Sequence, residues 1–346
     1  MTETTDRPAV TIRAVLRSAT RTRFDRILLV VIGLGMVSIA ANLFLPQGAF
    51  LPAWLLIPQV LVIAVMLLMH ITRVLGVRAM IVYFVTMMAL ELVSEYVDIA
   101  TDGGWYGAHF AYTSLWGPQL FGVPIVPPVS IAVLVWPAFC AASIILCGDY
   151  SVDHRGRSWL TTISVALIAG MFVSWMPVIY EAICIKIGAY TYPQIESGQV
   201  AGYWGSPIGS DHMAMPLRVF PGFTLLVFLQ VVVLTRVIGP RAAGARLARA
   251  DSSPPLHPIL DLAPLAFFVM LAVGLTKVGS TVEAQVFGAY TGVLGSVLAV
   301  MCFYLRGSGI RRSLRIDRPP VPPGRPSAAD IGAGVRPGEA GGPDRG

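Results

Sequence analysis

Glu91, Glu95, Asp98 and Asp102 fall within about 60° of one another when the chain is wound at 3.6 residues per turn. The sequence around them, MIVYFVTMMALELVSEYVDIA from Met80, is otherwise that of a membrane span. An unpaired carboxylate at the centre of such a span costs about 2.5–3.5 kcal/mol even on the lenient insertion scales. A narrow acidic stripe on an apolar helix therefore points to a site. A general acid needs a carboxyl that keeps its proton at neutral pH, a form that low-dielectric surroundings favour, and a base needs a neighbour that does not. The structural alternative makes Asp98 and Asp102 interfacial caps, with Glu91 and Glu95 bonding to adjacent helices.

A further carboxyl, Glu181, shares a helix face with Ser174 and Pro177. A proline one turn before it is expected to kink the helix and open the bundle. The alternative is a surface Glu181 paired with Lys186, at i+5 a poor helical pairing distance. Asp211, His212 and Arg218 form a third group, which His109 can join as a proton shuttle. Arg218 follows Pro216 and Leu217 at a helix start, where a cation opposes the helix dipole, so it is expected to answer an acid across the site. No H-x-x-x-H or H-E-x-x-H spacing supports a metal, and the chain lacks a G-x-S-x-G, a P-loop and a dinucleotide fingerprint. Cys140, Cys147, Cys184 and Cys302 contain no C-x-x-C pair and read as small core residues. His70, His154 and His257 sit at inner helix ends or in an inner loop, where neutral or capping roles suit them.

The elements that must position these groups follow from hydropathy. With 55% apolar and 13% charged residues, the chain has too little charge to cover a water-facing surface of its size. The fold class is all-α, a polytopic transmembrane bundle. Eight segments have the length to cross a bilayer, roughly 27–46, 53–71, 79–98, 129–147, 159–184, 217–236, 262–277 and 286–305. With the N-terminus inside, all but three of the 25 basic residues, namely Lys186, Arg218 and Lys277, lie on the cytoplasmic side, as the positive-inside rule requires. Both termini are then cytoplasmic. Residues 1–26 form a basic N-terminal segment without the features of a cleaved signal. Residues 27–305 form the bundle, and 306–346, rich in Pro, Gly and Arg, a disordered tail. The inner loop Pro240 to His257 has the composition of a basic surface helix.

Two long outer loops, 98–128 and 185–216, carry the aromatic residues Trp105, Tyr106, Tyr112, Trp116, Tyr190, Tyr192, Tyr203 and Trp204 together with many glycines. Loops of this length are functional or disordered, and their aromatic content argues for two folded caps meeting over the outer half of the bundle. At 1.5 Å per residue from Ala79, Glu91 lies about 18 Å into the membrane and Asp98 about 28 Å, near the outer face.

The residues Asp98, GGWYGAHFAYTSLWG, Tyr180-Glu181, KIGAYTYP, Trp204 and MPLR resemble the AveC-like spirocyclase family of actinobacterial multi-pass membrane proteins, over roughly residues 79 to 225. The resemblance implies dehydration or spiroketal closure of a polyketide without a redox cofactor, and makes Asp98, Trp116, Glu181, Tyr190 and Tyr192 leading site positions. Where that family carries His-Glu after a Pro-Leu pair, this chain carries Arg218-Val219.

Three functions fit these residues. The first is a membrane spirocyclase or dehydratase with Glu91, Glu95, Asp98 and Glu181 as acid and base, and with Asp102, Trp105, Tyr106, His109, Tyr112, Trp116, Tyr190, Tyr192, Asp211, His212 and Arg218 around the substrate. The second is a proton-coupled carrier of a hydrophobic solute, and the third a lipid-binding scaffold. The expected partners are a lipophilic small molecule and the bilayer, not nucleic acid; no cofactor or metal is expected.

Overall fold

A computed structural model describes residues 19–20, 22–44, 53–174, 185, 190–198, 203–204, 215–247, 257, 259–265, 298 and 301–302. The chain is mostly helical, with α1 Arg23–Leu43, α2 Ala53–Leu75, α3 Val77–Ala100, α4 Val126–Cys147, α5 Trp159–Ser174, the single turn α6 Pro193–Glu196, α7 Val219–Val233 and α8 Gly239–Leu247. A π-helical stretch, Leu234–Ile238, joins α7 to α8. Three described helices are long and apolar enough to cross a membrane: Val77–Ala100, Val126–Cys147 and Val219–Ala243. The expected spans 262–277 and 286–305 lie largely outside the described residues.

α4 is the central helix. Nearly three quarters of its apolar window, 72%, is buried, against 22% for α3 at the edge. Its side chains are apolar almost all round, as a helix enclosed by others requires. α5 packs closely against both α4 and α7, and α3 against α4. α3 is built inside out for a water-facing helix. Ile81, Val82, Val85 and Val93 are exposed, while Tyr83, Met87, Glu91, Ser94, Glu95 and Asp98 are buried. Lipid is the solvent that makes this arrangement favourable. Tyr83 fastens the N-terminal part of α3 to α4 by donating to the Ala132 carbonyl at 2.9 Å. Gln230 of α7 donates to the Met87 carbonyl at 3.1 Å.

Three antiparallel two-residue ladders organise the loops: β1 Ala111–Tyr112 with β4 Tyr190–Thr191, β2 Gln119–Leu120 with β3 Val123–Pro124, and β5 Tyr203–Trp204 with β6 Met215–Pro216. The first joins the two long loops, with Tyr112 opposite Tyr190.

At the end of the bundle remote from these loops lies a buried polar network. Asp261 Oδ1 receives Arg73 Nη1 at 2.6 Å and pairs with His70 Nε2 at 2.9 Å. The indole N–H of Trp136 donates to His70 Nδ1 at 2.9 Å. An indole nitrogen only donates, so Nδ1 of His70 is the acceptor here and the Nε2 edge is turned to Asp261. Tyr150 and the main chain of His257 complete the shell around Asp261. His257 Nδ1 in turn accepts the N–H groups of Ile259 and Leu260 at 3.2 and 3.3 Å, which is a capping role.

The connection 148–158 is held by Arg157 on Asp149 at 2.6 Å and by Arg236, whose guanidinium lies 4.1 Å from the centre of the Trp159 ring and donates to Thr162 Oγ1 at 2.7 Å. His154 is buried beneath it, with Nδ1 3.2 Å from Thr162 Oγ1. Burial first, and then the charge of Arg157, hold the His154 pKa below the ordinary histidine value. The unfolded chain therefore binds this proton more readily than the folded one. Stability contributed by neutral His154 is present above about pH 6.5, and declines as pH falls from there through the lower folded pKa. His154→Gln is expected to flatten that decline in the melting temperature of detergent-solubilised protein measured from pH 7.5 to 5. An unchanged acid profile would contradict it.

Candidate active site

α3 ends in a left-handed turn that sends the following loop back over its own last two turns. Asp102 has φ 54° and Gly103 φ 87°, and the Gly103 N–H donates to the Asp98 carbonyl at 2.8 Å. A Cβ at Gly103 would lie 2.5 Å from the Ala108 Cα, so glycine is needed here for both backbone angle and space. The returning loop presents the N–H groups of Trp105 and Tyr106 to Asp98 Oδ1 at 3.0 and 2.6 Å. One oxygen of Asp98 is thus committed to positioning the loop. Asp98 Oδ2 has no hydrogen-bond partner among the described residues.

This fold-back places the Tyr106 ring in the bundle. Tyr106 stacks on Phe223 of α7 with centroids 4.9 Å apart and lies against Gly222, where a Cβ would sit 2.7 Å from its ring. Its hydroxyl is 3.1 Å from Ser94 Oγ. Ser94 spends its own proton on the Glu91 carbonyl at 2.8 Å, so Tyr106 is the donor in that pair. Burial, and next the charge of Glu91, hold the Tyr106 hydroxyl well above the ordinary tyrosine range.

Glu91 and Glu95 are 0% and 3% exposed. Their carboxyls interact by charge and through a side-chain hydrogen bond between them; outside the pair, neither oxygen of Glu91 meets a donor among the described residues. Glu95 differs: its Oε2 accepts the Tyr112 hydroxyl at 2.8 Å. Burial, followed by the Glu95 charge, keeps the Tyr112 pKa well above its usual value, so Tyr112 remains a donor.

An aromatic cluster joins the pair through Tyr112. Phe110 stacks on Tyr112 at 5.5 Å and meets Tyr190 and Tyr192 at 5.2 and 5.1 Å. Trp116 stacks on Tyr190 at 6.3 Å. Trp105 is half-buried, its indole N–H without a partner among the described residues.

Of the other residues singled out in the sequence, Asp102 does not continue the buried line. Its side chain is 77% exposed and bonds to His109 Nδ1 at 2.7 Å. Gln194 donates to Asp102 Oδ1 at 2.7 Å and also meets His109 Nδ1, a clasp between the two loops. Arg218 is exposed, its stem beside Gly107, and makes no ion pair among the described residues. Glu181, Asp211 and His212 lie outside the described residues. Sequence reading passed over Ser94, Phe110, Gln194 and Phe223. Ser94 had a signal, since it follows Glu91 by three positions on the same face; the others depend on contacts across the fold. Among the described residues no group of three His, Cys, Asp or Glu side chains is arranged to hold a metal.

Comparison with curated proteins and with solved structures finds no match. A family model described as "Carotenoid biosynthesis protein" matches residues 53–295, a stretch that contains α2, α3, both aromatic loops and the carboxyl pair. The chain belongs to the carotenoid biosynthesis protein family.

Proposed function

We propose that this protein is a multi-pass enzyme of the cell membrane that adds water to, or removes it from, a lipophilic substrate of the carotenoid class by general acid–base catalysis. The observation that carries the reading is Glu91, a fully buried carboxyl whose two oxygens meet no donor among the described residues outside the pair, set beside a second carboxyl that receives one. A polar group buried in this way is costly unless something uses it. The family description supports the substrate class.

In the direction of water loss, Glu91 gives its proton to the departing hydroxyl and the C–O bond breaks. Glu95 takes a proton from the adjacent carbon as the double bond forms. The pair then resets by passing that proton from Glu95 to Glu91, and water addition is the reverse. Positioned proton transfer of this kind contributes typically 10²–10⁴-fold. Trp105, Tyr106, Trp116, Tyr190 and Tyr192 shape the apolar walls, and Asp98 holds the loop that carries two of them.

The topology that accompanies this reading has eight spans and both termini in the cytoplasm, with the site in the outer half of the membrane. A second reading, favoured by the motif resemblance over residues 79 to 225, is spiroketal closure of a polyketide by the same pair. Purified protein in liposomes, given a carotenoid-type polyene carrying a tertiary alcohol or terminal double bond, is expected to yield a product differing by one water. Movement of the unchanged compound across the bilayer under a pH gradient, with no new product, would identify a carrier instead. No effect of any carboxyl replacement on either process would identify a scaffold.

A further inference from the structure

We propose that Tyr112 decides which carboxyl of the pair carries the proton, holding Glu95 as the base and leaving Glu91 as the acid; the inference rests on the acid–base reading above. Two carboxyls side by side in an apolar interior do not both ionise. Which one keeps the proton is set by the donors that reach them, because a hydrogen bond given to a carboxylate favours its charged form. Glu95 Oε2 receives the Tyr112 hydroxyl at 2.8 Å. Glu91 receives no donor among the described residues from outside the pair.

Two nearby hydroxyl donors are already spent. Ser94 donates to the Glu91 main-chain oxygen, and Tyr106 donates to Ser94. Among the described residues, the titratable groups nearest the pair are Asp98 on the same helix, Tyr106 on the returning loop and Tyr112 on β1. Asp98 Oδ1 is occupied by two main-chain N–H groups. Among the described residues, Tyr112 is the donor that reaches one glutamate and not the other.

Tyr112 does not reach Glu95 by local geometry. It lies 17 positions further along the chain, and it is held there by stacking on Phe110 and by the β1–β4 ladder that sets it opposite Tyr190 of the second loop. Pairing of the two outer loops and polarisation of the carboxyl pair are therefore one event. Tyr112 acts through Glu95, which makes it a positioning residue.

Infrared spectra of the full-length protein in lipid read this without a substrate, through the carbonyl-stretch band of a protonated carboxylic acid. Glu91→Gln is expected to remove one carboxyl's band, whereas Glu95→Gln retains it. Tyr112→Phe keeps the ring and its stacking but removes the donor. Combined with Glu91→Gln it is expected to restore the band, now from Glu95. A band that survives Glu91→Gln, or that stays absent in the double variant, would overturn the proposal. Uniform replacement of tyrosine by fluorotyrosine preserves every ring and strengthens the phenol donor, so it checks the link should Tyr112→Phe not fold. It is expected to shift the carboxylate stretch that Glu95→Gln deletes, and an unmoved stretch counts against Tyr112. If Glu91→Gln keeps full turnover while the bands behave as expected, the acid–base reading falls and the proton assignment stands. If turnover is lost but the double variant shows no band, the reverse holds.

Discussion

Glu91→Leu is expected to raise the melting temperature of this protein and abolish its chemistry in one step. The wild-type carboxyl is buried and meets no donor among the described residues outside the pair. An unmet polar group of this kind costs about 1–3 kcal/mol, and exchanging it for an apolar side chain of similar size recovers much of that. Its buried neighbours along α3 include Met87, one turn earlier on the same face, so leucine meets surroundings that suit it. Turnover should fall at least about 100-fold, the usual effect of removing a positioned acid. Gains in stability with loss of activity mark residues kept for function. Glu95→Leu makes the useful contrast, because it strands the Tyr112 hydroxyl and should lower stability. Melting of both variants in detergent, alongside product analysis, separates the cases. A Glu91→Leu protein that melts well below wild type would make the carboxyl structural.

The second large effect concerns the opposite end of the bundle. Asp261→Ala is expected to destabilise the protein by about 3–5 kcal/mol, the usual cost of removing one member of a buried ion pair. Asp261 is 1% exposed, and its loss leaves Arg73, 11% exposed, and His70, 0% exposed, facing an apolar gap. It also frees the His257 main-chain N–H. Arg73 retains Asp25 at 3.4 Å, so the damage should fall mainly on the docking of the 257–265 segment. Protease sensitivity around residues 257–265, together with the melting temperature, checks this. A variant indistinguishable from wild type in both would contradict the network's role.

The two ends of the molecule differ in how far sequence reasoning reaches them. Helical spacing in an apolar run put Glu91, Glu95 and Asp98 on one face, because a helix of known pitch converts spacing directly into direction. The same arithmetic fails at Asp102. α3 stops at Ala100, and beyond a left-handed turn the 3.6-residue period no longer applies. Asp98 looked like a third acid, yet one of its oxygens holds a loop that folds back by seven and eight positions, a geometry that depends on the Gly103 turn and not on periodicity. Aromatic density marked both outer loops as folded, but the Tyr112–Tyr190 register is a tertiary fact. The His70–Asp261 pair spans 191 positions. In sequence it left two isolated polar residues with nothing to connect them.

The central claim is that the Glu91–Glu95 pair exchanges water with a lipophilic substrate. The most direct test is mass analysis of a carotenoid-type polyene incubated in heavy water with membranes containing the wild-type protein or the Glu91→Gln variant. Wild-type membranes are expected to form a product differing by one water, with solvent deuterium on the carbon beside the reacting bond where water is added; variant membranes should show neither. Deuterium uptake and product formation at wild-type rates in the Glu91→Gln membranes would contradict the claim.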